Sequence, residues 1–370
     1  MNTDQPAAAL SNSIQPYVDR HELAGAVMFV ADKGGMLAAE AIGWADLGER
    51  KPMTTESVFW VASQAKPITA VAIMMLVDEG KLSVTDPVEK YLPEFAGQMY
   101  IAKKEEGETL LRKPAHPITV EEILLHTSGL AFQTLIEKPT LDLFPLSTAV
   151  RSYSMTPLEF EPGTSILYSN AGYNTAARIV EVITGRLYED FLDQRLFDPL
   201  GMRDTTFWPD AEQTARLAET YGADPGDGHL VKLPIEYLDY PLSDRAKRFP
   251  FPAGGLFSTA RDLATFYRMM LNEGSLDGRS YLSPEAVREM TRRRTPESWD
   301  RAQGLGLEAD GKSFGHGGAF GTHTGVDLAS GLILGWLVQH ASFPGNGAEA
   351  RATFEKAALE KFGNVRPPRG

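Results

Sequence analysis

The chain contains no cysteine. Disulfides, thiolate metal sites and cysteine nucleophiles are therefore excluded, and the absence says nothing firm about compartment. Basic runs are short: the longest is Arg292-Arg293-Arg294, against a formal net charge of −13. Nucleic acid is not an expected partner for such a surface. No apolar stretch approaches the roughly 20 residues of a membrane-spanning helix, so no membrane span is expected. The seven histidines show no His-Glu-x-x-His or similar paired spacing, and Gly315 to Gly321 lacks the lysine of a phosphate-binding loop. Neither a metal nor an organic cofactor is expected. The opening residues Met1-Asn2-Thr3-Asp4-Gln5-Pro6 show no basic region followed by an apolar one, so no signal peptide is read there. Compartment stays open between the cytoplasm and, if a leader has been removed, the periplasm or exterior. Oligomeric state has no signature in the sequence.

What is present is ordinary for a folded protein: 370 residues, 43% hydrophobic and 23% charged, a length that suggests about two domains. Leu10, Ile14, Tyr17 and Val18 form a helical stripe, with Pro16 expected to kink or end the helix. Gly25 to Val30 and Leu37 to Trp44 are apolar runs around an Asp32-Lys33-Gly34-Gly35 turn, the pattern of a hairpin. Ile68, Val71, Ala72, Met75 and Leu76 predict a helix that stops near Gly80. Thr119 and Glu122 form a capping box, with Ile118 and Ile123 at staple spacing. His126 and Ser128 then fall at a helix end that Gly129 is expected to close, and no catalytic role is read for them. A second hairpin is expected over 324–338 and a last helix over 348–362. Strand signals at both ends, with helix signals between, predict an α+β architecture: a discontinuous sheet domain, 1–58 plus 256–370, and a mostly helical domain, 59–255, inserted into it.

The stretch Val58-Phe59-Trp60-Val61-Ala62-Ser63-Gln64-Ala65-Lys66-Pro67 is the chemical centre. Residues i and i+3 share a helix face, so Lys66 can reach the Ser63 hydroxyl, one way of activating a weak nucleophile. Pro67 falls in the first turn, which puts Ser63 at or beside a helix N-terminus, where free N–H groups favour developing negative charge. Alone the motif is thin: with twenty serines and fourteen lysines, about one Ser-x-x-Lys arises by chance. Two further pieces follow in order, Tyr168-Ser169-Asn170 and His316-Gly317-Gly318.

With these flanks, including Leu125-His126-Thr127-Ser128-Gly129-Leu130, Pro162-Gly163 and Pro252-Ala253-Gly254-Gly255-Leu256, the chain resembles the serine β-lactamase-like superfamily. The branch is that of class C β-lactamases, D-alanyl-D-alanine peptidases and family VIII esterases. The resemblance implies a β-lactamase/penicillin-binding-protein-like fold, an antiparallel sheet flanked by helices, with the active site in the cleft beside the inserted helical domain. It implies that Ser63 forms an acyl-enzyme, that Lys66 shares its proton, and that Tyr168 acts as base or acid, its phenolate stabilised by Lys66. Which of Lys66 and Tyr168 carries the proton in each step is open. Asn170 is implied to orient substrate, with a helix N-cap as its alternative. The resemblance further implies that His316, Gly317 and Gly318 line the substrate, the glycines letting its backbone lie close, and that the N–H groups of Ser63 and Ala319 form the oxyanion hole. The chain departs from the pattern at His316 and Gly317, where many β-lactamases and peptidases of the superfamily carry lysine and a hydroxyl, although histidine occurs there in peptidase and esterase members. A mostly neutral histidine weakens an anchor for a substrate carboxylate.

The expected activity is that of a serine hydrolase acting on a small ester, amide or D-peptide, with esters slightly favoured. A penicillin-binding protein or sensor that acylates with slow turnover, or a true β-lactamase, is the alternative. Loops 95–117 and 221–252 are expected to shape the acyl and leaving-group pockets.

Overall fold

The computed structural model describes residues 8–363. Its frame is an antiparallel sheet built from the two ends of the chain: β1 (Gly25–Ala31), β2 (Met36–Asp46), β3 (Lys51–Pro52), β4 (Glu308–Ala309), β5 (Ser313–Gly317), β6 (His323–Asp327) and β7 (Leu332–Leu337). The order is β4-β5-β6-β7-β1-β2-β3. Thus β1 lies between its hairpin partner β2 and the late strand β7, in a register that pairs Val27 with Leu337 and Ala31 with Ile333. All seven residues of β1 are buried, which explains an unbroken apolar run where a half-exposed strand would alternate. Gly335 in β7 is required by this packing: a Cβ there would sit 1.9 Å from the Phe29 ring.

The outer face buries Met28, Val30, Leu334 and Trp336 under α1 (Ala8–Asp19) and α6 (Ala350–Phe362). Helix α1 continues through Pro16 to Asp19, where a kink or an end is expected from the sequence. Leu10 and Ile14 are buried against the sheet, and that apolar contact outweighs one missing backbone hydrogen bond close to the helix end. The inner face carries Val27 and Phe29 beneath α5 (Ala260–Leu271), and the same core continues into the helices of the middle of the chain.

Between Phe59–Trp60 and Phe257–Ser258, which pair with each other, the chain leaves the sheet and returns to it. Among the helices there, α2 (Ala65–Asp78), α3 (Val120–Leu125) and α4 (Asn170–Thr184) position the site. Every residue of α2 from Ala65 to Leu76 is buried, so this helix is enclosed on all sides by other elements. Helix α3 begins on the expected Thr119–Glu122 capping box but ends earlier than expected. Its left-handed cap is His126, at φ +63°, and not Gly129, whose positive φ serves a separate turn packed against the Phe160 carbonyl. The His126 side chain and carbonyl bond the segment before α4 and hold this conformation, which histidine adopts more readily than most residues with a side chain.

Among the described residues no helix is long and apolar enough to cross a membrane.

Candidate active site

The site is assembled around Ser63. Just before it, Ala62 adopts φ +46°, a left-handed conformation that an alanine keeps only where its surroundings impose it. The constraint is visible: Val61 N–H bonds the Leu256 carbonyl at 3.0 Å, and the Trp60 indole N–H bonds the Gly254 carbonyl at 2.7 Å. A short 3-10 turn, Ala62–Gln64, then leads directly into α2. Ser63 is half-buried within this turn, next to the helix N-terminus as the spacing predicts.

Lys66, one turn on, is completely buried. Its Nζ lies 3.2 Å from Ser63 Oγ, 2.9 Å from Asn170 Oδ1 and 2.8 Å from the Ala253 carbonyl. It also sits 4.5 Å from the centroid of the Tyr168 ring and 5.4 Å from that of Tyr173. Burial pushes the amine well below the ordinary lysine value, and the charge of Arg301 adds to the shift. The two aromatic faces favour the ammonium by about 0.5–2 kcal/mol. Desolvation of the enclosed amine is the larger effect.

Tyr168 lies on the extended approach to α4. Burial raises its phenol above the ordinary value, while Ser63 and Arg301 oppose the rise. Both shifts run against the ammonium–phenolate pair expected from the sequence. Burial thus moves Lys66 toward the neutral amine and Tyr168 toward the neutral phenol. Asn170 occupies the first turn of α4, but the cap is Ser169, whose Oγ accepts from Gly172 N–H at 3.0 Å. Asn170 is free to turn inward and accept from Lys66.

His316, Gly317 and Gly318 run along β5 to the same place. Burial, with Lys66 nearby, lowers His316 to about 3. Its ring is therefore neutral throughout the ordinary pH range. Ester turnover is accordingly expected to show no inflection attributable to His316 between about pH 5 and 8, around the reference value of about 6.5. A kcat/KM profile over that range, compared with His316→Gln, checks this; an inflection near 6.5 that the variant removes is the contrary result.

The glycines differ in their reasons. A Cβ on Gly318 would meet the Val61 carbonyl at 2.4 Å and Thr322 Oγ1 at 2.2 Å, whereas one on Gly317 comes no closer than 3.7 Å to its nearest neighbour, the Thr322 carbonyl. Gly318 is thus already required by the protein's own packing, apart from any demand of substrate, and Gly317 leaves open space on the cavity. Gly318→Ala is expected to destabilise the fold by about 1–3 kcal/mol, and Gly317→Ala to leave stability within about 0.5 kcal/mol. Thermal unfolding of both variants makes the comparison. Ala319 follows at the cavity edge, and among the described residues neither its N–H nor that of Ser63 is taken by a backbone acceptor.

A cavity of about 340 Å³ opens over Ser63. Its wall includes Trp60, Phe132, Leu141, Tyr237, Arg301 and Glu308, in addition to the residues named above. Tyr237 and Phe251 come from the 221–252 loop and its edge, as expected, but no residue of 95–117 reaches this wall. That segment instead forms an exposed hairpin, Tyr100–Glu105 with Glu108–Arg112. Phe132, Leu141, Arg301 and Glu308 have no sequence signal, since nothing local marks a residue that long-range packing brings to a cavity. Arg301 is exposed, with its guanidinium 5.0 Å from the Tyr168 ring centroid. Among the described residues no three histidine, aspartate or glutamate side chains converge to hold a metal ion.

Comparison with known proteins places the chain in a family. The sequence profile of the Beta-lactamase family matches residues 10–358. The chain is 30% identical to penicillin-binding protein 4 of Amycolatopsis lactamdurans over 358 residues, covering 93% of this chain and 86% of the relative. It is 30% identical to the lovastatin esterase of Penicillium rubens, covering 76% and 71%. In fold it matches simvastatin synthase from Aspergillus terreus with a TM-score of 0.79 at 21% identity, over 95% of this chain and 98% of the other. With the profile spanning nearly the whole chain and the sheet, helices and motif residues arranged as described, the protein belongs to the β-lactamase family, whose members and relatives are serine hydrolases.

Proposed function

We propose that the protein takes the acyl group of a small carboxylic ester onto Ser63 and passes it to water. The supporting observation is the set of contacts made by Lys66. Asn170 Oδ1 and the Ala253 carbonyl can only accept, so they use two N–H bonds. A neutral amine has no third hydrogen, and its lone pair is left facing Ser63 Oγ. Lys66 is then the base that removes the Ser63 proton as Oγ attacks the acyl carbon. The oxyanion is received by the N–H groups of Ser63 and Ala319. Tyr168, a neutral phenol beside both, gives its proton to the leaving alkoxide and is reprotonated from Lys66. Water repeats the sequence in reverse on the acyl-enzyme. The amide group of Asn170, with Oδ1 committed to Lys66, has its nitrogen available to a substrate carbonyl.

Esters are favoured over D-peptides and β-lactams because the position that would anchor a carboxylate holds a neutral histidine, and because Trp60, Phe132, Leu141, Tyr237 and Phe251 make an apolar wall. The likeness to lovastatin esterase points the same way. A second reading, a penicillin-binding protein with slow deacylation, draws support from the likeness to penicillin-binding protein 4 and from Arg301, a permanent cation at the rim.

Rates on p-nitrophenyl butyrate, a chromogenic cephalosporin and a D-alanyl peptide, with mass spectrometry of the intact protein during each reaction, separate the two. Fast ester turnover with a transient butyryl adduct on the peptide that contains Ser63 is the expected result. A long-lived penicilloyl adduct and negligible ester turnover would support the second reading instead.

A further inference from the structure

We propose that His126 is a positioning residue that holds Tyr168 in its working place. This rests on the acyl-Ser63 reading above, because the role has meaning only if Tyr168 moves a proton there. The two residues flanking Tyr168 both hang on this one histidine. Leu167 N–H donates to the His126 carbonyl at 2.9 Å, and Ser169 N–H donates to His126 Nδ1 at 3.0 Å. The imidazole also packs on the phenol itself, with ring centroids 4.4 Å apart and planes 31° from parallel. Carbonyl, ring nitrogen and ring face of one residue therefore fix the backbone before Tyr168, the backbone after it, and its side chain.

Packing alone does not account for a histidine here. The side chain is 1% exposed, and because Nδ1 accepts a backbone N–H, the proton of the neutral ring must be on Nε2. That nitrogen is buried with no hydrogen-bond partner among the described residues. The orphaned donor disfavours a histidine at this position. A leucine or phenylalanine would have no orphan nitrogen and would fill the space. What it would lose is the bond to Ser169 N–H, and with it the fixed peptide that follows Tyr168.

The neutral ring is the form that works, since an N–H at Nδ1 would oppose the Ser169 N–H. Burial is the main reason the ring stays unprotonated, and the Arg301 cation at the cavity rim adds to it. Lys66 from α2 and His316 from β5, both themselves shifted toward their neutral forms, face the same ring, beside the aromatic neighbours Tyr168 and Tyr173, the latter 5.2 Å away between ring centroids. Ser169 is the shared joint. Its Oγ also caps α4 and donates to the Ala131 carbonyl at 2.8 Å, so the histidine ties the Tyr168 peptide to the helix start.

The test is a set of substitutions read with p-nitrophenyl butyrate. His126→Phe keeps a flat ring and removes the acceptor; His126→Asn keeps a short acceptor and tolerates the left-handed backbone. His126→Phe is expected to lower kcat by about 10–100-fold, the scale of a roughly 1 Å misplacement, with KM little changed. His126→Asn should recover part of that loss. In a Tyr168→Phe background, His126→Phe should cost less than about two-fold more, because a residue that acts through Tyr168 has nothing left to position. Losses that multiply in the double variant, or wild-type kcat in His126→Phe, overturn the proposal.

Should His126→Phe fail to fold, the wild-type protein still decides. In a ¹⁵N–¹H spectrum of the histidine rings, His126 is expected as the Nε2–H tautomer at every pH from about 5 to 8; an Nδ1–H signal or titration near 6.5 overturns it. A Ser63→Ala control run beside these separates failure of the acyl-enzyme reading, where turnover persists without Ser63, from failure of the His126 role.

Discussion

Ser63→Ala is expected to lower kcat/KM for p-nitrophenyl butyrate by on the order of 10⁵-fold or more, the scale seen when a serine hydrolase loses its nucleophile. The substitution removes one oxygen from a half-buried position at the start of α2. The two oxyanion N–H groups and the cavity stay in place, so residual activity should exceed the uncatalysed reaction, in line with what oxyanion and binding contacts retain on their own. Stability should change by about 0.5 kcal/mol or less, as for substitutions that create no cavity. Initial rates and thermal unfolding on the same samples check both halves. Turnover at the wild-type rate places the nucleophile elsewhere and removes the reading.

The second large effect is at Lys66. Lys66→Met is expected to slow acylation of Ser63 by about 10³–10⁴-fold, toward the upper range for loss of a general base. Lys66→Arg should be no better, because a guanidinium holds its proton throughout the accessible range. In Lys66→Met the Asn170 Oδ1 and Ala253 carbonyl acceptors lose their donor, at about 1–3 kcal/mol each. Relief of the desolvation that the amine suffers offsets part of that loss, so the variant should still fold. Thermal unfolding run with the acylation assay separates the two effects.

The pH dependence follows from the same burial. If neutral Lys66 is the base, activity is present above its depressed pKa and lost as pH falls through it. The profile should therefore rise and reach its plateau below the ordinary lysine range, near about 10.4. A phenolate base gives a different profile: burial raises Tyr168, so activity would still be climbing above about pH 10. Stability moves with the same group. Between the depressed folded value and the unfolded value of about 10.4, the unfolded chain binds the extra proton, so stability rises with pH across that window. A kcat/KM profile carried from about pH 5 to pH 11, paired with denaturant midpoints, reads both.

Much of the frame is legible along the chain because it is set by short-range rules. The hairpin of β1 and β2 appears as two apolar runs around a turn, and the capping box at Thr119 as two residues three apart. The end of α3 departs from expectation for a physical reason: glycine is the usual left-handed cap, and His126 adopts that conformation only because the segment around Tyr168 is folded against it. The 95–117 segment reads like a pocket loop because a long polar connection carries no mark of which side of the molecule it will occupy.

Local rules were enough to say which groups can meet Ser63 along the chain: a helix puts residue i+3 over residue i, and Ser63 and Lys66 need nothing more. They were enough, too, to read β1 and β2 as a hairpin, since two apolar runs around a glycine turn pair antiparallel. The protonation of the site, in contrast, was set by tertiary packing alone. The partners of the Lys66 amine lie 104 and 187 residues away, on α4 and at Ala253. Whether an amine or a phenol is charged depends on how completely water is excluded, and that exclusion is the work of a core assembled from distant segments. The same dependence placed Arg301 at the rim and His126 beneath Tyr168, two residues whose roles arise from the neighbours that folding brings to them.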